Sequence, residues 1–361
     1  MSRTFHILLV GYYGHANAGD ECVLAGIKQA LAERSDQPYE LRALSGLPAN
    51  TQQLHGIRSY PRFSPAAVMT ALVWSDCLVL GGGSLIQDAT SKRSAQYYLW
   101  LIRLALTLKK RVFLWAQGFG PLSDPGLRFQ SAALLSRAHG VTVRDEGSRQ
   151  ELTDLGVAGV AKTADPAFLI EPSENLHSEL AVASENDTGG CIGVALRRWP
   201  SLERAEDSLA NAIHQFSVKS GLGCLYVPFH HPGDIEISNK FADRSQTPSS
   251  VMSASPSPAE LVTVFLELSI VLGMRLHSLI LAARAAVPFV GLSYDPKVER
   301  FCRSAGMPCL TIDEITSGRL EQLLLEVWEN REPLSFGLER FSEDQRNLAQ
   351  QTASHFWRSV K

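Results

Sequence analysis

The feature that most constrains this chain is a repeated motif of three parts: a short, almost unbroken apolar run, a glycine-rich or polar loop, and a stretch with helical periodicity. In the first half the apolar runs are 5–10, 77–80, 112–116 and 140–143, and the helical stretches are 21–34, 95–108, 127–137 and 146–155. Runs so short and so uniformly apolar predict parallel strands buried on both faces, because a strand with one wet face would alternate. A polar stretch over 171–190, with Pro172, Asn186 and Gly189-Gly190, predicts a linker. The pattern then resumes, with strands expected at 191–196, 223–228, 269–272 and 288–292 and helices at 202–220, 276–286 and 295–305. Residues 245–258, rich in Ser and Pro, predict a loop. Ser257-Pro258-Ala259-Glu260 closes it with an N-cap, a proline at the first helical position and a glutamate at the third, starting a helix that runs to about 268.

Alternating strand and helix in both halves predicts an α/β protein of two Rossmann-like, doubly wound domains facing each other across a cleft. The expected boundaries are 1–172 for the first domain and 173–337 for the second. A last helix is expected over 338–361, and its Leu338, Phe341, Leu348, Phe356 and Trp357 suit it to pack back on the first domain. The 361 residues agree with two domains of roughly 100–200 residues each.

Composition narrows the function. Lys and Arg total 34 against 37 Asp and Glu, a formal net charge of −3, which argues against a nucleic-acid partner while leaving room for a local basic pocket. The six cysteines, at 22, 77, 191, 224, 302 and 309, form no C-x-x-C pair. Neither a disulfide framework nor a zinc knuckle is expected, and a reduced, cytoplasmic compartment fits. No secretory leader is expected before the first strand. The most apolar long stretch, 97–108, contains Arg103 and falls well short of the ~20 residues a bilayer span needs.

In an open α/β sheet ligands lie beyond the carboxyl ends of the strands, so the chemistry is sought in those loops. The first is Gly11-Tyr12-Tyr13-Gly14-His15-Ala16-Asn17-Ala18-Gly19-Asp20-Glu21. Its glycines do not follow G-x-G-x-x-G and no acidic residue ends the next strand, so no nicotinamide cofactor is expected, nor any other. Asp20 and Glu21 either cap the helix that follows or hold a polar ligand against the glycine-rich backbone. Gly81-Gly82-Gly83-Ser84 either presents bare N–H groups to hydroxyls or anions, or permits close helix–strand packing. A dense polar stretch with Gln87 and Asp88 follows it. Val143-Arg144-Asp145 is a structural ion pair or a ligand clamp, and Arg197-Arg198-Trp199 ends a strand in the same way. In His230-His231-Pro232-Gly233-Asp234 the adjacent histidines cannot share one strand face and no third ligand stands at metal spacing, so no metal site is expected.

The most informative stretch is Gly273-Met274-Arg275-Leu276-His277-Ser278. Arg275 and His277 lie between an apolar strand and a helix, so both are expected to reach the cleft. A helix N-terminus receives an anion, and an imidazole beside a multiply charged anion can serve as a general acid. Lys297, just after another strand end, adds a cation on the same side.

These blocks, with Ala116-Gln117-Gly118-Phe119-Gly120-Pro121, Ala164-Asp165-Pro166 and Ser293-Tyr294-Asp295-Pro296-Lys297-Val298, resemble the polysaccharide pyruvyl transferases. The resemblance runs in order from about residue 5 to 310 and is strongest to the branch typified by the cell-surface anchoring enzyme CsaB. Cys22 and Phe119 depart from it, standing where a small residue and an isoleucine are usual. The resemblance implies a fold similar to the GT-B glycosyltransferases. It implies an enzyme that moves the pyruvyl group of phosphoenolpyruvate onto two hydroxyls of a sugar, in a cell-surface glycan or its lipid-linked precursor, making a cyclic ketal and releasing phosphate.

The family's Arg-x-His and downstream Lys map onto Arg275, His277 and Lys297, with His277 as the acid that protonates the donor's methylene carbon. Arg144 and Arg197 are further cations for a donor carrying a carboxylate and a phosphate. The acceptor side is assigned to Gly14, Asn17, Asp20, Glu21, Gly82, Gly83 and Asp88. Lipid-linked acceptors imply a peripheral contact with the inner face of the plasma membrane. Two other readings compete: a nucleotide-sugar glycosyltransferase on the same fold, and a non-catalytic sugar-binding protein.

Overall fold

The computed structural model describes residues 3–35, 37–89, 91–174, 190–253 and 255–360. Most of the expected linker over 171–190, and Met1 and Ser2, lie outside the described residues. The chain forms two compact units. Unit 1 takes the chain up to Leu169 and resumes at Gln345, and unit 2 is Ile170–Asp344.

Unit 1 contains β1 (Phe5–Val10), α1 (Ala18–Glu33), β2 (Tyr39–Ser45), α2 (Pro48–His55), β3 (Arg58–Pro61), α3 (Pro65–Trp74) and β4 (Cys77–Gly81). It continues with α4 (Lys92–Thr107), β5 (Arg111–Gln117), α5 (Pro125–Leu135), β6 (Gly140–Val143), α6 (Glu146–Asp154) and β7 (Val160–Lys162). The strands pair in parallel in the order β3-β2-β1-β4-β5-β6-β7. Both faces are dry, as the unbroken apolar runs require. Leu8, Val10, Leu78, Leu80, Val112 and Leu114 pack into one core with α3, α4 and α5, while Ile7, Leu9, Cys77, Val79, Phe113 and Trp115 pack into another with α1.

Unit 2 contains β8 (Cys191–Ala195), α7 (Leu202–Ser220), β9 (Gly223–Tyr226), α8 (Gly233–Arg244), β10 (Ser249–Val251) and α9 (Pro258–Leu266). After these come β11 (Ile270–Gly273), α10 (Leu276–Arg284), β12 (Phe289–Ser293), α11 (Pro296–Ser304), β13 (Cys309–Thr311) and α12 (Ser317–Glu329). Its sheet is also parallel, in the order β10-β9-β8-β11-β12-β13. The capping box that opens α9 forms as the sequence predicts: the Ser257 N–H donates to Glu260 Oε2 at 2.7 Å and the Glu260 N–H to Ser257 Oγ at 3.3 Å.

The last helix, α13 (Arg331–Ser359), starts before the expected residue 338. Its final turns count with unit 1, where the Phe356 ring meets Phe113 at 5.2 Å and Trp115 at 5.6 Å, and Trp357 meets Phe5 at 5.8 Å.

Several elements escape the sequence pattern. β2 carries Glu40 and Arg42 and lies next to the edge strand β3, so its polar side chains reach water and break the apolar run. β10 and β13 are three-residue edge strands, too short to show a period, and β10 sits inside the stretch expected to be loop. In each unit the strand order reverses once, between β1 and β4 and between β8 and β11, and the loops after those strands are where a ligand has room to enter.

Candidate active site

Unit 2 gathers charged side chains at the carboxyl ends of β8, β9, β11 and β12. Arg275 caps α10 with its backbone alone. The Ser278 N–H and hydroxyl both bond its carbonyl, at 2.9 and 2.6 Å, and its side chain makes no cap bond. The guanidinium goes instead to Asp234, in the first turn of α8: Nε donates to Oδ2 at 2.8 Å and NH2 to Oδ1 at 2.5 Å. Asp234 is 1% exposed, and its Oδ2 also accepts the His230 N–H at 3.0 Å. A two-pronged pair of this kind sets the plane of the guanidinium as well as its position, which a lysine could not do. Burial, and then the nearby Arg275, hold His230 below the ordinary histidine range.

His277 is the second residue of α10, half-buried at a helix start whose free N–H groups favour an anion. Arg197, just past β8, donates NH1 to the Tyr294 hydroxyl at 2.8 Å and packs on the rings of Tyr294 and Trp199, 4.9 and 5.1 Å from their centroids. Lys297 Nζ lies 6.0 Å from the same Tyr294 ring and 3.0 Å from Asp295 Oδ2. Burial opposes the charge on Asp295, yet Lys297 and its backbone N–H keep the carboxyl below its ordinary value. Two of the three cations therefore already face a carboxylate, and Arg197 faces a phenol.

In unit 1 the loop after β1 is folded onto itself. The Gly14 N–H donates to Glu21 Oε1 at 2.8 Å, and Glu21 Oε2 lies 2.8 Å from His55 Nε2. Asn17 caps α1, accepting from the Gly19 N–H at 3.2 Å and donating to Asp20 Oδ2 at 2.5 Å. The Tyr13 phenol, pushed up by burial, donates to the Gly81 carbonyl at 2.9 Å. Arg62, at the end of β3, is 4% exposed; it donates NH1 to the Gly11 carbonyl at 2.8 Å and NH2 to the Tyr98 hydroxyl at 2.9 Å. The rings of Phe63, Tyr97 and Tyr98 lie 5.2, 4.9 and 5.3 Å from its guanidinium, and its buried Nε has no partner among the described residues.

The loop after β4 meets this one. Gly82 (φ +64°) gives its N–H to the Trp115 carbonyl at 3.0 Å, and a β-carbon there would strike Val23 at 2.1 Å. Gly83 (φ +71°) lies against Asp20, whose Oδ1 would stand 3.2 Å from a β-carbon at that position. Further on, Asp88 Oδ2 accepts from the Ser123 N–H, the Ser123 hydroxyl and the Asp124 N–H at 2.8, 3.0 and 2.7 Å. Burial works against this carboxylate, but those donors hold it below its ordinary value. Arg144 donates NH1 to Asp165 Oδ2 at 2.8 Å and NH2 to Ser84 Oγ at 3.2 Å, tying the loop after β6 to those after β7 and β4.

A family model for polysaccharide pyruvyl transferases matches residues 17–296, which takes in Asn17, Arg144, Arg197, Arg275 and His277. The chain belongs to that family. No curated protein matches it significantly. Among solved structures it is similar to a putative UDP-N-acetylglucosamine 2-epimerase from Listeria monocytogenes, at 10% identity over 97% of this chain and 94% of that one, with a TM-score of 0.69. It is also similar to the UDP-GlcNAc 2-epimerase of Neisseria meningitidis bound to UDP-GlcNAc (11% identity, 98% and 100% covered, TM-score 0.64). A third is the spinosyn rhamnosyltransferase SpnG complexed with spinosyn aglycone (14%, 94% and 96%, TM-score 0.57). These likenesses establish the fold, two parallel-sheet α/β domains of the GT-B type.

Within this pyruvyl transferase family member the expected site residues divide by what already holds them. Arg197, Tyr294 and Lys297 come together in unit 2, and Arg275 and His277 share one helix start. In unit 1, Gly14, Asn17, Asp20, Glu21, Gly82, Gly83 and Asp88 each have a polar group engaged by the protein itself. Of the two readings of the β4 glycines, close packing accounts for Gly81 and Gly82, while Gly83 faces Asp20. Asp234, His55 and Arg62 play parts that no spacing in the sequence announces, since each answers a partner dozens of residues away. Among the described residues no group of three His, Cys, Asp or Glu side chains is placed to hold a metal ion, and no helix is long and apolar enough to cross a membrane.

Proposed function

We propose that the protein transfers the pyruvyl group of phosphoenolpyruvate to two hydroxyls of a sugar, in a cell-surface glycan or its lipid-linked precursor, forming a cyclic ketal and releasing phosphate. The observation that carries this reading is the set of Arg197, Arg275 and Lys297 at three strand ends of unit 2, with His277 at the start of α10. A donor with a carboxylate and a phosphate needs several oriented cations, and the Asp234 clamp orients one of them. His277 gives a proton to the donor's methylene carbon. The neighbouring carbon, made electrophilic, takes the first acceptor hydroxyl, whose proton restores His277; phosphate leaves with its bridging oxygen, and the second hydroxyl closes the ring as its proton passes to the departing phosphate.

Arg144 is a cation of unit 1, and Asp165 offsets its charge. Gly14, Asn17, Asp20, Glu21, Gly82, Gly83 and Asp88, in the loops of unit 1, are assigned to the acceptor. A lipid-linked acceptor would bring the protein to the inner face of the plasma membrane, and co-sedimentation with vesicles carrying that acceptor tests the contact.

The deciding experiment is phosphate release across a panel of acceptor glycans. Release that requires both phosphoenolpyruvate and an acceptor supports the reading, and release from phosphoenolpyruvate alone counts against it. UDP-sugar complexes among the structural neighbours favour a second reading, a nucleotide-sugar transferase. Thermal denaturation separates the two, because a ligand that binds the folded protein raises its melting temperature. Stabilisation by UDP without any by phosphoenolpyruvate overturns the pyruvyl transfer.

A further inference from the structure

Gly291, in the middle of β12, leaves a gap that two thiols fill. A β-carbon at 291 would lie 2.4 Å from the Cys302 sulfur and 3.2 Å from the Cys309 sulfur. Cys309 is the residue paired with Gly291 across the β12–β13 ladder, and Cys302 reaches the same point from α11. Both are free cysteines; Cys302 is fully buried and Cys309 is partly exposed. Two sulfurs that converge on one missing side chain lie close together, and closeness is the first requirement of a disulfide.

We propose that Cys302 and Cys309 form a reversible dithiol–disulfide modification site, closed by a low-molecular-weight disulfide such as oxidised glutathione. The Cys309 thiolate attacks one sulfur of glutathione disulfide, forming a mixed disulfide and releasing one glutathione. The Cys302 sulfur then attacks the Cys309 sulfur and releases the second glutathione. The two cysteines lose two electrons and two protons, and the glutathione disulfide gains them as two thiols.

The order follows from exposure, since Cys309 is partly exposed and Cys302 is fully buried. The hydrogen bond from the Cys302 thiol also lowers the Cys309 thiol from its ordinary value, while that bond and burial raise Cys302. Elsewhere burial works against attack: it pushes the thiols of Cys22 and Cys77 far up and that of Cys224 up to about 11. Closure would tie the end of α11 to β13, and the first turn of that helix carries Lys297.

The test is to incubate the full-length protein with excess glutathione disulfide, count thiols after denaturation and map disulfide-linked peptides by mass spectrometry. We expect two of the six thiols to be lost, the new bond to join Cys302 to Cys309, and dithiothreitol to restore all six. Cys302→Ser is expected to stop at a glutathione adduct on Cys309, and Cys309→Ser to form neither. Six thiols still free, a bond that maps elsewhere such as Cys191 to Cys224, or a lasting adduct on Cys309 in the wild-type protein would each overturn the proposal. Because the map is read on the wild-type chain, it does not depend on either variant folding.

Discussion

The buried carboxylate of Asp234 grips the guanidinium of Arg275 by two bonds, of 2.8 and 2.5 Å, joining the first turn of α8 to the start of α10. An arginine held this way meets an incoming anion with its remaining N–H groups already aimed, so less freedom is lost on binding. The same clamp lowers the net charge that the donor meets.

Asp234→Ala therefore acts on both stability and donor binding. Removing one partner of a buried pair costs about 3–5 kcal/mol, and the lower end applies here because the Arg275 side chain is 15% exposed. Asp234→Asn, which keeps the shape, is expected to raise KM for phosphoenolpyruvate roughly tenfold, about 1.4 kcal/mol, with a smaller change in kcat. Steady-state kinetics and thermal melts on the two variants check this. An unchanged donor KM in both would show that Asp234 does not position Arg275 for the donor.

Loss of the proposed acid is expected to spare binding. His277→Gln lowers kcat by about 10²–10⁴-fold, the usual worth of a positioned acid, while phosphoenolpyruvate still raises the melting temperature. An unchanged kcat in His277→Gln, with chemistry rate-limiting, would remove His277 from that role.

His230 makes stability depend on pH. Burial and Arg275 hold it below its ordinary value of 6.5, which the unfolded chain retains. Between the two values the unfolded chain binds more protons, so stability falls as pH drops through about 6.5, and the loss is complete below the folded value. Asp295, whose folded carboxyl is depressed, adds a loss of the same sign at more acid pH. The drop in melting temperature between about pH 7.5 and 5.5 is expected to be smaller in His230→Gln, which keeps the backbone bond to Asp234. Equal drops in the two proteins would refute the assignment.

Arg62→Lys tests the acceptor loop. A lysine cannot hold the Gly11 carbonyl and the Tyr98 hydroxyl in one fork, and losing a charge-assisted bond costs about 1.5–3 kcal/mol. The expected outcome is a lower melting temperature and a higher KM for the acceptor, with KM for phosphoenolpyruvate unchanged. A rise confined to the donor KM would contradict the placement of the acceptor in unit 1.

The core strands of both sheets were legible because burial on two faces leaves an unbroken apolar run, as in Leu78-Val79-Leu80 and Ile270-Val271-Leu272. Edge strands were not, since Arg58–Pro61 and Ser249–Val251 have a wet side and no periodicity to betray them. The capping box at Ser257 could be read directly, being a local hydrogen-bond pattern complete within four residues.

Sequence by itself determined which residue types stand at the strand ends, among them Arg197, Arg275, His277 and Lys297, because strand, loop and helix follow one another along the chain. Only the tertiary structure decided what those residues touch. Glu21 answers Gly14 and His55, Asp88 answers Ser123 and Asp124, and Arg275 answers Asp234. Such pairings depend on which strands lie side by side, and a carboxylate's neighbours in space leave no mark on its neighbours in sequence.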